Sequence, residues 1–196
     1  MSTSITSGLA SGIRLDIPKG EAVRPTGVRS KRALFDSIQA EFGWQGKTVV
    51  DFFSGAGALG LEAASRGAAV IYLVEKSSAH CKMAEKNIEK VKKATAANNP
   101  EIVLCRSDVL FAYNRLPALE NKVDIILSDP PYTQSAHLLE KLTSDANFAK
   151  WAGNAILIWE TPDNFQVSFQ DNDLWNEEKR RKFAGTEFLF LRTGDA

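Results

Sequence analysis

Asp129-Pro130-Pro131-Tyr132 closes an apolar run, Val123 to Leu127, with an acid, two prolines and an aromatic ring. Two prolines in a row remove two N–H donors and lock φ, so they form a stiff corner whose carbonyls stay open as acceptors. Asp129 and the Pro130 carbonyl can each accept one N–H of a planar exocyclic amine, and the Tyr132 ring offers a flat face for a nucleobase. Such an amine is a poor nucleophile because its lone pair is delocalised into its ring. A clamp that orients the amine also favours the more pyramidal, charge-bearing transition state. The alkylated ammonium sheds a proton readily, and Asp129 can assist as base.

A second cluster lies upstream. Gly55, Gly57 and Gly60 in "DFFSGAGALGLE" satisfy G-x-G-x-x-G between a strand and a helix, with Ser54 at the start of the turn. That pattern lets an adenosine-bearing ligand approach the backbone at a helix start, and alone it fits NAD as well as S-adenosylmethionine. Glu75 follows 20 residues after Gly55 and can accept both hydrogen bonds of a ribose diol. Asp51 stands inside the strand before the turn, where a carboxylate suits a cationic amino-acid ligand and repels a pyrophosphate. Asp108, after the third strand, can accept from an adenine amine. Lys76 and Val109 flank these acids. Together they favour S-adenosylmethionine, bound at the carboxyl edge of an open sheet.

The elements that must position these groups are legible in the periodicity. "IRLDI" (13–17) alternates as a short strand, after Ser-, Thr- and Gly-rich residues 1–12 that read as flexible. "SKRALFDSIQAEFG" (30–43) is a helix, with Ser30 as cap and Gly43 as stop. From Thr48 strands and helices alternate: strands "TVVDFF", "AAVIYLVE", "IVLCR", "VDIIL" and "AILIWE", and helices "ALGLEAASRG", "SSAHCKMAEKNIEKVKKA" and "SAHLLEKLTSD". Continuous apolar strands alternating with helices imply a parallel sheet covered on both faces. "EKRRKFAGTEFLFLR" then reads as two strands around Ala184-Gly185-Thr186, an antiparallel hairpin. The expected class is α/β: a seven-stranded, mostly parallel, doubly wound sheet with an antiparallel C-terminal hairpin.

With 196 residues and 44% hydrophobic content the chain suffices for one such domain. No apolar run approaches membrane-spanning length, and the N-terminus has no apolar signal core. Two cysteines, Cys81 and Cys105, and two histidines, His80 and His137, make no metal constellation and suit a reducing cytoplasm. Net charge is zero, yet residues 11–32 carry six basic residues against Asp16 and Glu21. That local excess fits a nucleic-acid contact. Trp44, Trp151, Trp159 and Trp175 are scattered and read as packing residues.

The block "DFFSGAGALGLEAASRGA", the corner "SDPPY", the upstream "RPTGVRSKRALFDSI", the opening "GLASGIRLDIP" and the ending "RRKFAGTEFLFLR" together resemble the bacterial small-subunit rRNA guanine-N2 methyltransferase family. The resemblance implies a Rossmann-like methyltransferase fold, cytoplasmic and monomeric, that moves a methyl group from S-adenosylmethionine to one guanine of 16S rRNA in the 30S subunit or an assembly intermediate. It implies an N-terminal basic arm or hairpin over 1–29 and a methyltransferase domain over 30–196. Asp51, Ser54, Gly55, Gly57, Glu75, Lys76, Asp108 and Val109 would hold the cofactor. Asp129, Pro130, Pro131 and Tyr132 would hold the base, and Arg24, Thr26, Arg29 and Lys31 would face RNA. Lys31-Arg32 departs from the Arg-Glu usual in that family. Three other readings stand beside it: a DNA adenine or protein glutamine methyltransferase with the same corner, a nicotinamide-dependent oxidoreductase, and a non-catalytic ribosome-assembly factor.

Overall fold

Residues 2–18, 25–161, 165, 167–169 and 172–194 are described by a computed structural model. Nine strands and six α-helices are seen among them. A two-stranded hairpin comes first, β1 (Ser2–Ser4) against β2 (Arg14–Asp16). The helix α1 (Pro25–Glu41) leads into the alternating part. There follow β3 (Thr48–Phe52), α2 (Ala58–Ser65), β4 (Val70–Glu75), α3 (Ser78–Ala94), β5 (Glu101–Arg106), a short α4 (Ala112–Arg115) and β6 (Ile125–Ser128). Then come α5 (Ser135–Thr143), α6 (Ala146–Ala152), β7 (Ile156–Thr161), β8 (Trp175–Phe183) and β9 (Thr186–Thr193).

Strands β3 to β9 form one seven-stranded sheet in the order β5-β4-β3-β6-β7-β9-β8. The pairs from β5 through β7 are all parallel, and β9 runs antiparallel to both its neighbours. This is the doubly wound sheet that the alternation implied. The strand order reverses between β3 and β6, so the crevice at their carboxyl ends is the switch point where ligands of open α/β sheets bind.

Both faces are buried, which explains the continuous apolar strands. Val49, Ile71, Leu73, Ile125, Leu127, Ile156 and Ile158 pack with Leu34, Phe35, Ile38, Leu61, Ala84 and Ile88 of α1, α2 and α3. Val50, Phe52, Ile126, Leu157 and Trp159 pack on the other side with Leu138, Leu139, Phe148 and Trp151 of α5 and α6. All four tryptophans are buried, as their scatter implied. The β8–β9 turn holds Ala184 at φ 46° and Gly185 at φ 95°. Two positive φ angles in a two-residue loop match the right-handed twist of the flanking strands.

Three local expectations are corrected. α1 begins at Pro25, five residues before Ser30. Proline suits the first helical position, because its missing N–H is one that no helix uses there. Ser30 lies inside the helix, its hydroxyl 3.0 Å from that of Thr186. The helix therefore runs across the 29/30 boundary between arm and domain. α6 was not anticipated; Asp145 caps it by accepting from the N–H of Asn147 at 2.8 Å. Residues 2–12 are held rather than loose. Thr6 N–H and hydroxyl donate to Glu62 at 2.8 and 2.6 Å, and Ala10 N–H donates to the Ser65 hydroxyl at 2.9 Å.

Glu62 is fully buried in α2 and gathers the N-terminal segment around it. Lys31 Nζ of α1 lies 3.3 Å from it, and Arg66 Nε donates to it at 2.9 Å. Burial alone would raise the Glu62 pKa, but Lys31, Thr6 and Arg66 outweigh it and hold the carboxyl below its usual range. Burial also pulls the Lys31 pKa down, against the pull of Glu62. The pair thus works at a cost in desolvation that its hydrogen bonds must offset. Glu62→Ala strands a buried lysine and frees two backbone donors. It should cost about 3–5 kcal/mol in urea unfolding and speed amide exchange at Thr6 and Ser7. A loss below about 1 kcal/mol would show that apolar packing alone holds the hairpin.

Candidate functional site

The site begins with a carboxylate where the sheet is driest. Asp51 is the fourth residue of β3, between Leu73 of β4 and Leu127 of β6 in register. Its side chain is 1% exposed. Oδ2 accepts the Gly60 N–H at 2.8 Å, and buried Oδ1 has no hydrogen-bond partner. Burial, which outweighs the Gly60 hydrogen bond and is helped by the nearby charge of Glu75, pushes its pKa up to about 7. Gly60 has to be glycine: a Cβ there would meet Leu73 Cδ2 at 2.3 Å and Asp51 Cβ at 3.2 Å. The third glycine thus serves close helix–strand packing.

The turn between β3 and α2 is tight. Gly57 adopts φ 88° at the head of α2, and its N–H donates to the Ser54 carbonyl at 2.7 Å. Ser54 N–H reaches across to the Val74 carbonyl at 3.0 Å, and Gly55 N–H donates to Glu75 Oε2 at 2.9 Å. Glu75 Oε1 accepts the Ser77 N–H at 2.7 Å. The turn and the end of β4 are therefore fixed to each other. A carboxylate offers about four acceptor positions, so Glu75 retains capacity for two hydroxyls. Ser77 caps α3.

Asp108 lies one strand further out. It caps the turn Val109–Phe111 through the Leu110 N–H at 3.2 Å and meets Lys76 Nζ at 3.3 Å. Lys76, Arg106, Ser107, Asp108, Phe111 and Arg115 line a cavity of about 340 Å³. The Val109 side chain is buried in the second core, so only its backbone can serve a ligand.

On the other side of β3, the corner follows β6. Pro130 is buried, while Asp129 and Pro131 are exposed. Tyr132 is 44% exposed, one of three large apolar residues to stand out among those described. The Pro131 carbonyl accepts the Gln134 N–H at 2.9 Å, which starts the turn into α5, and among the described residues no donor reaches the Pro130 carbonyl. The Pro130 carbonyl thus has room for a donor. Phe53, just after β3, meets Trp159 of β7 edge-on at 5.7 Å, and Trp159 Nε1 donates to the Ser135 hydroxyl at 2.9 Å. These contacts set the corner beside the glycine turn.

Sequence reasoning missed Glu160. The Tyr132 hydroxyl donates to Glu160 Oε1 at 2.8 Å, and burial raises the Glu160 pKa. The signal was present, since "AILIWE" ends in an acid just as "AAVIYLVE" does. Along the carboxyl edge, β5, β4, β3, β6 and β7 thus bring Asp108, Glu75, the glycine turn, Asp129 and Glu160 into one row.

The RNA-facing set divides. Arg29 is exposed on α1. Lys31 is not on the surface: it is buried against Glu62, with Nζ also donating to the Ser4 carbonyl at 3.2 Å. Two positions along a helix turn a side chain by about 200°, which carries Lys31 from the outer face to the inner one. Arg24 lies outside the described residues, as does the Thr26 side chain.

The residues present fit an adenosine ligand with a cationic end. Three buried side-chain oxygens, Asp51 Oδ1, Ser54 Oγ and Ser128 Oγ, have no hydrogen-bond partner, and all lie at or near the carboxyl ends of β3 and β6. Buried polar groups are normally paired, so a cluster of unpaired ones marks a place for a ligand.

Comparison with known proteins places the chain in a family. A family model described as conserved hypothetical protein 95 matches residues 3–192. The ribosomal RNA small subunit methyltransferase D of Escherichia coli K12 is 30% identical over 160 residues, 79% of this chain and 72% of that protein. Its counterpart of the same name in Haemophilus influenzae is 29% identical over 128 residues, which span 65% of this chain and 63% of that protein. The solved structure of a hypothetical protein from Thermus thermophilus superposes with a TM-score of 0.74 at 22% identity, covering 97% of this chain and 99% of that one, and so shares the fold.

Asp51 supplies a test that needs no substrate. Its folded pKa lies above its unfolded value, so the unfolded state binds fewer protons between the two. Its contribution to stability is greatest below about pH 4 and is lost as pH rises to about 7. Urea unfolding from pH 4 to 7 should show the ligand-free protein losing stability relative to Asp51→Asn. Parallel curves would mean that the carboxyl group is not desolvated.

Proposed function

This chain belongs to the conserved hypothetical protein 95 family, together with the ribosomal RNA small subunit methyltransferases D, and from that premise we propose that it methylates the exocyclic N2 amine of a guanine in 16S rRNA. The methyl donor is S-adenosylmethionine, and the substrate is the 30S subunit or an assembly intermediate, met by a monomer in the cytoplasm. One observation carries the reading: the Asp129–Tyr132 corner ends the strand hydrogen-bonded directly to β3, whose end is the glycine turn. Donor and acceptor sites thus share one crevice.

When bound, S-adenosylmethionine supplies a methyl group made electrophilic by a sulfonium centre. Gly55 and Gly57 would line it, Glu75 would take its ribose hydroxyls, and Asp108 with the Val109 backbone would meet its adenine. Asp51 and Ser54 hold the turn, and their unpaired oxygens suit its cationic amino-acid end. The protein's own part is positioning. Asp129 and the Pro130 carbonyl accept from the two amine N–H groups, which turns the lone pair toward the crevice. Tyr132 covers the flat face of the base. Asp129 then takes the proton that the new ammonium releases.

Arg29, on the outer face of α1, meets phosphate. No helix among the described residues is long and apolar enough to cross a membrane.

Purified protein should transfer labelled methyl to small subunits from cells lacking the gene, and mass spectrometry should place it on a guanine N2. Asp129→Ala should lower the rate by about two to four orders of magnitude with cofactor affinity little changed. An equal loss of cofactor binding would make Asp129 a structural residue. Arg29→Ala should weaken subunit binding and reduce its salt dependence by roughly one phosphate contact, leaving the cofactor untouched. Salt-independent binding in both proteins would take α1 away from the RNA.

A further inference from the structure

The proposed acceptor corner has a second acid that the clamp does not use. β6 and β7 are parallel neighbours, and their ladder ends at the pair Ser128↔Trp159. The next residues are Asp129 and Glu160. Asp129 is the first residue past β6, while Glu160 is still in β7 and paired to Phe188 of β9, so the two stand at one level on strands about 4.8 Å apart. Glu160 is fixed there by the Tyr132 hydroxyl on Oε1, and Tyr132 is the ring that would cover the base. Glu160 is half-buried, and burial raises its pKa. The Tyr132 hydroxyl occupies one of about four acceptor positions on that carboxylate, which leaves room for a further donor.

The nucleobases differ at the atom next to the reacting amine. In guanine the amine is flanked by N3, which accepts, and by N1, which carries a hydrogen and donates. In adenine and cytosine the ring nitrogen beside the amine has a lone pair and accepts. With the amine held by Asp129, a base turned with its N1 edge toward β7 would set that ring atom beside Glu160. Resting on the reading of the corner as the acceptor site, we propose that Glu160 selects guanine, its carboxylate accepting from N1–H while Asp129 accepts from the neighbouring N2–H. An adenine in the same pose would set a lone pair against the carboxylate. A site built to hydrogen-bond one group rejects analogues lacking it far more strongly than an apolar pocket can. Tyr132 thus has two tasks, covering the base and orienting the acid that reads it.

The test uses small subunits from cells lacking the gene, carrying guanine or adenine at the mapped position. Wild-type protein should prefer guanine by at least about 10³-fold in kcat/KM. Glu160→Gln is the same size and easier to bury, so the fold is kept, and its amide can donate to the adenine nitrogen. It should lose about tenfold on guanine, gain on adenine, and narrow the preference by roughly 100-fold. Glu160→Ala should lose about 100-fold on guanine and gain nothing on adenine. S-adenosylmethionine affinity should stay within about threefold in both, since Glu160 lies on the acceptor side. If Glu160 only holds the tyrosine, Glu160→Gln will keep the wild-type guanine preference, and the proposal falls. If the wild-type protein places no methyl on guanine N2, it is the functional reading that fails instead.

Discussion

The bond from the Gly60 N–H to the Asp51 carboxylate is the constraint on which the site depends. It puts an ionisable group in the middle of the sheet, which costs desolvation free energy, and uses it to tie α2 against β3. Only a glycine can come that close. With α2 fixed, the turn before it has little freedom: Gly57 takes a left-handed conformation, Ser54 reaches Val74, and Gly55 reaches Glu75. Preorganisation of this kind removes the cost of ordering a loop when a ligand arrives.

The same helix anchors the N-terminal segment. Glu62, two residues beyond Gly60, collects Thr6, Ser7, Lys31 and Arg66, and Arg66 passes the charge on to Asp36 of α1 at 2.6 Å. Arg66 also lies over the Phe35 ring, 5.5 Å from its centre. The hairpin and α1 are therefore seated on the helix that carries the glycine turn. A surface on α1 is held in fixed relation to the crevice, as a reaction on a large folded RNA requires if docking is to deliver one base to one place.

Two aromatic packings divide the work on the opposite face. Phe148 stacks with Trp175 at 5.4 Å and builds the core under α6. Phe53 and Trp159 instead pack beneath the crevice, where they relate the glycine turn to the proline corner. The row of acids follows from topology: each parallel strand delivers its carboxyl end to the same edge, so residues at or near adjacent strand ends become neighbours.

Much of this was legible along the chain because its signals are local. Apolar runs alternating with helices marked the strands, and Ala184-Gly185 marked the last hairpin. α6 carried readable signals as well, Asp145 before it and Gly153 after it, but seven residues hold too few turns for a clear period. The start of α1 was misplaced because a serine is a good cap only where the backbone has not already turned helical, and Pro25 had turned it.

The sequence by itself determined the order of strands and helices, the glycine turn and the acid-proline corner, since each rests on backbone preferences of neighbouring residues. The tertiary structure alone decided that Lys31 is an interior counter-charge while Arg29 stays outside, and that Glu160 stands beside Asp129. Those facts depend on which helix face meets Glu62 and on which strands become neighbours. Both are set by packing between residues roughly 30 positions apart along the chain, where no local pattern can register them.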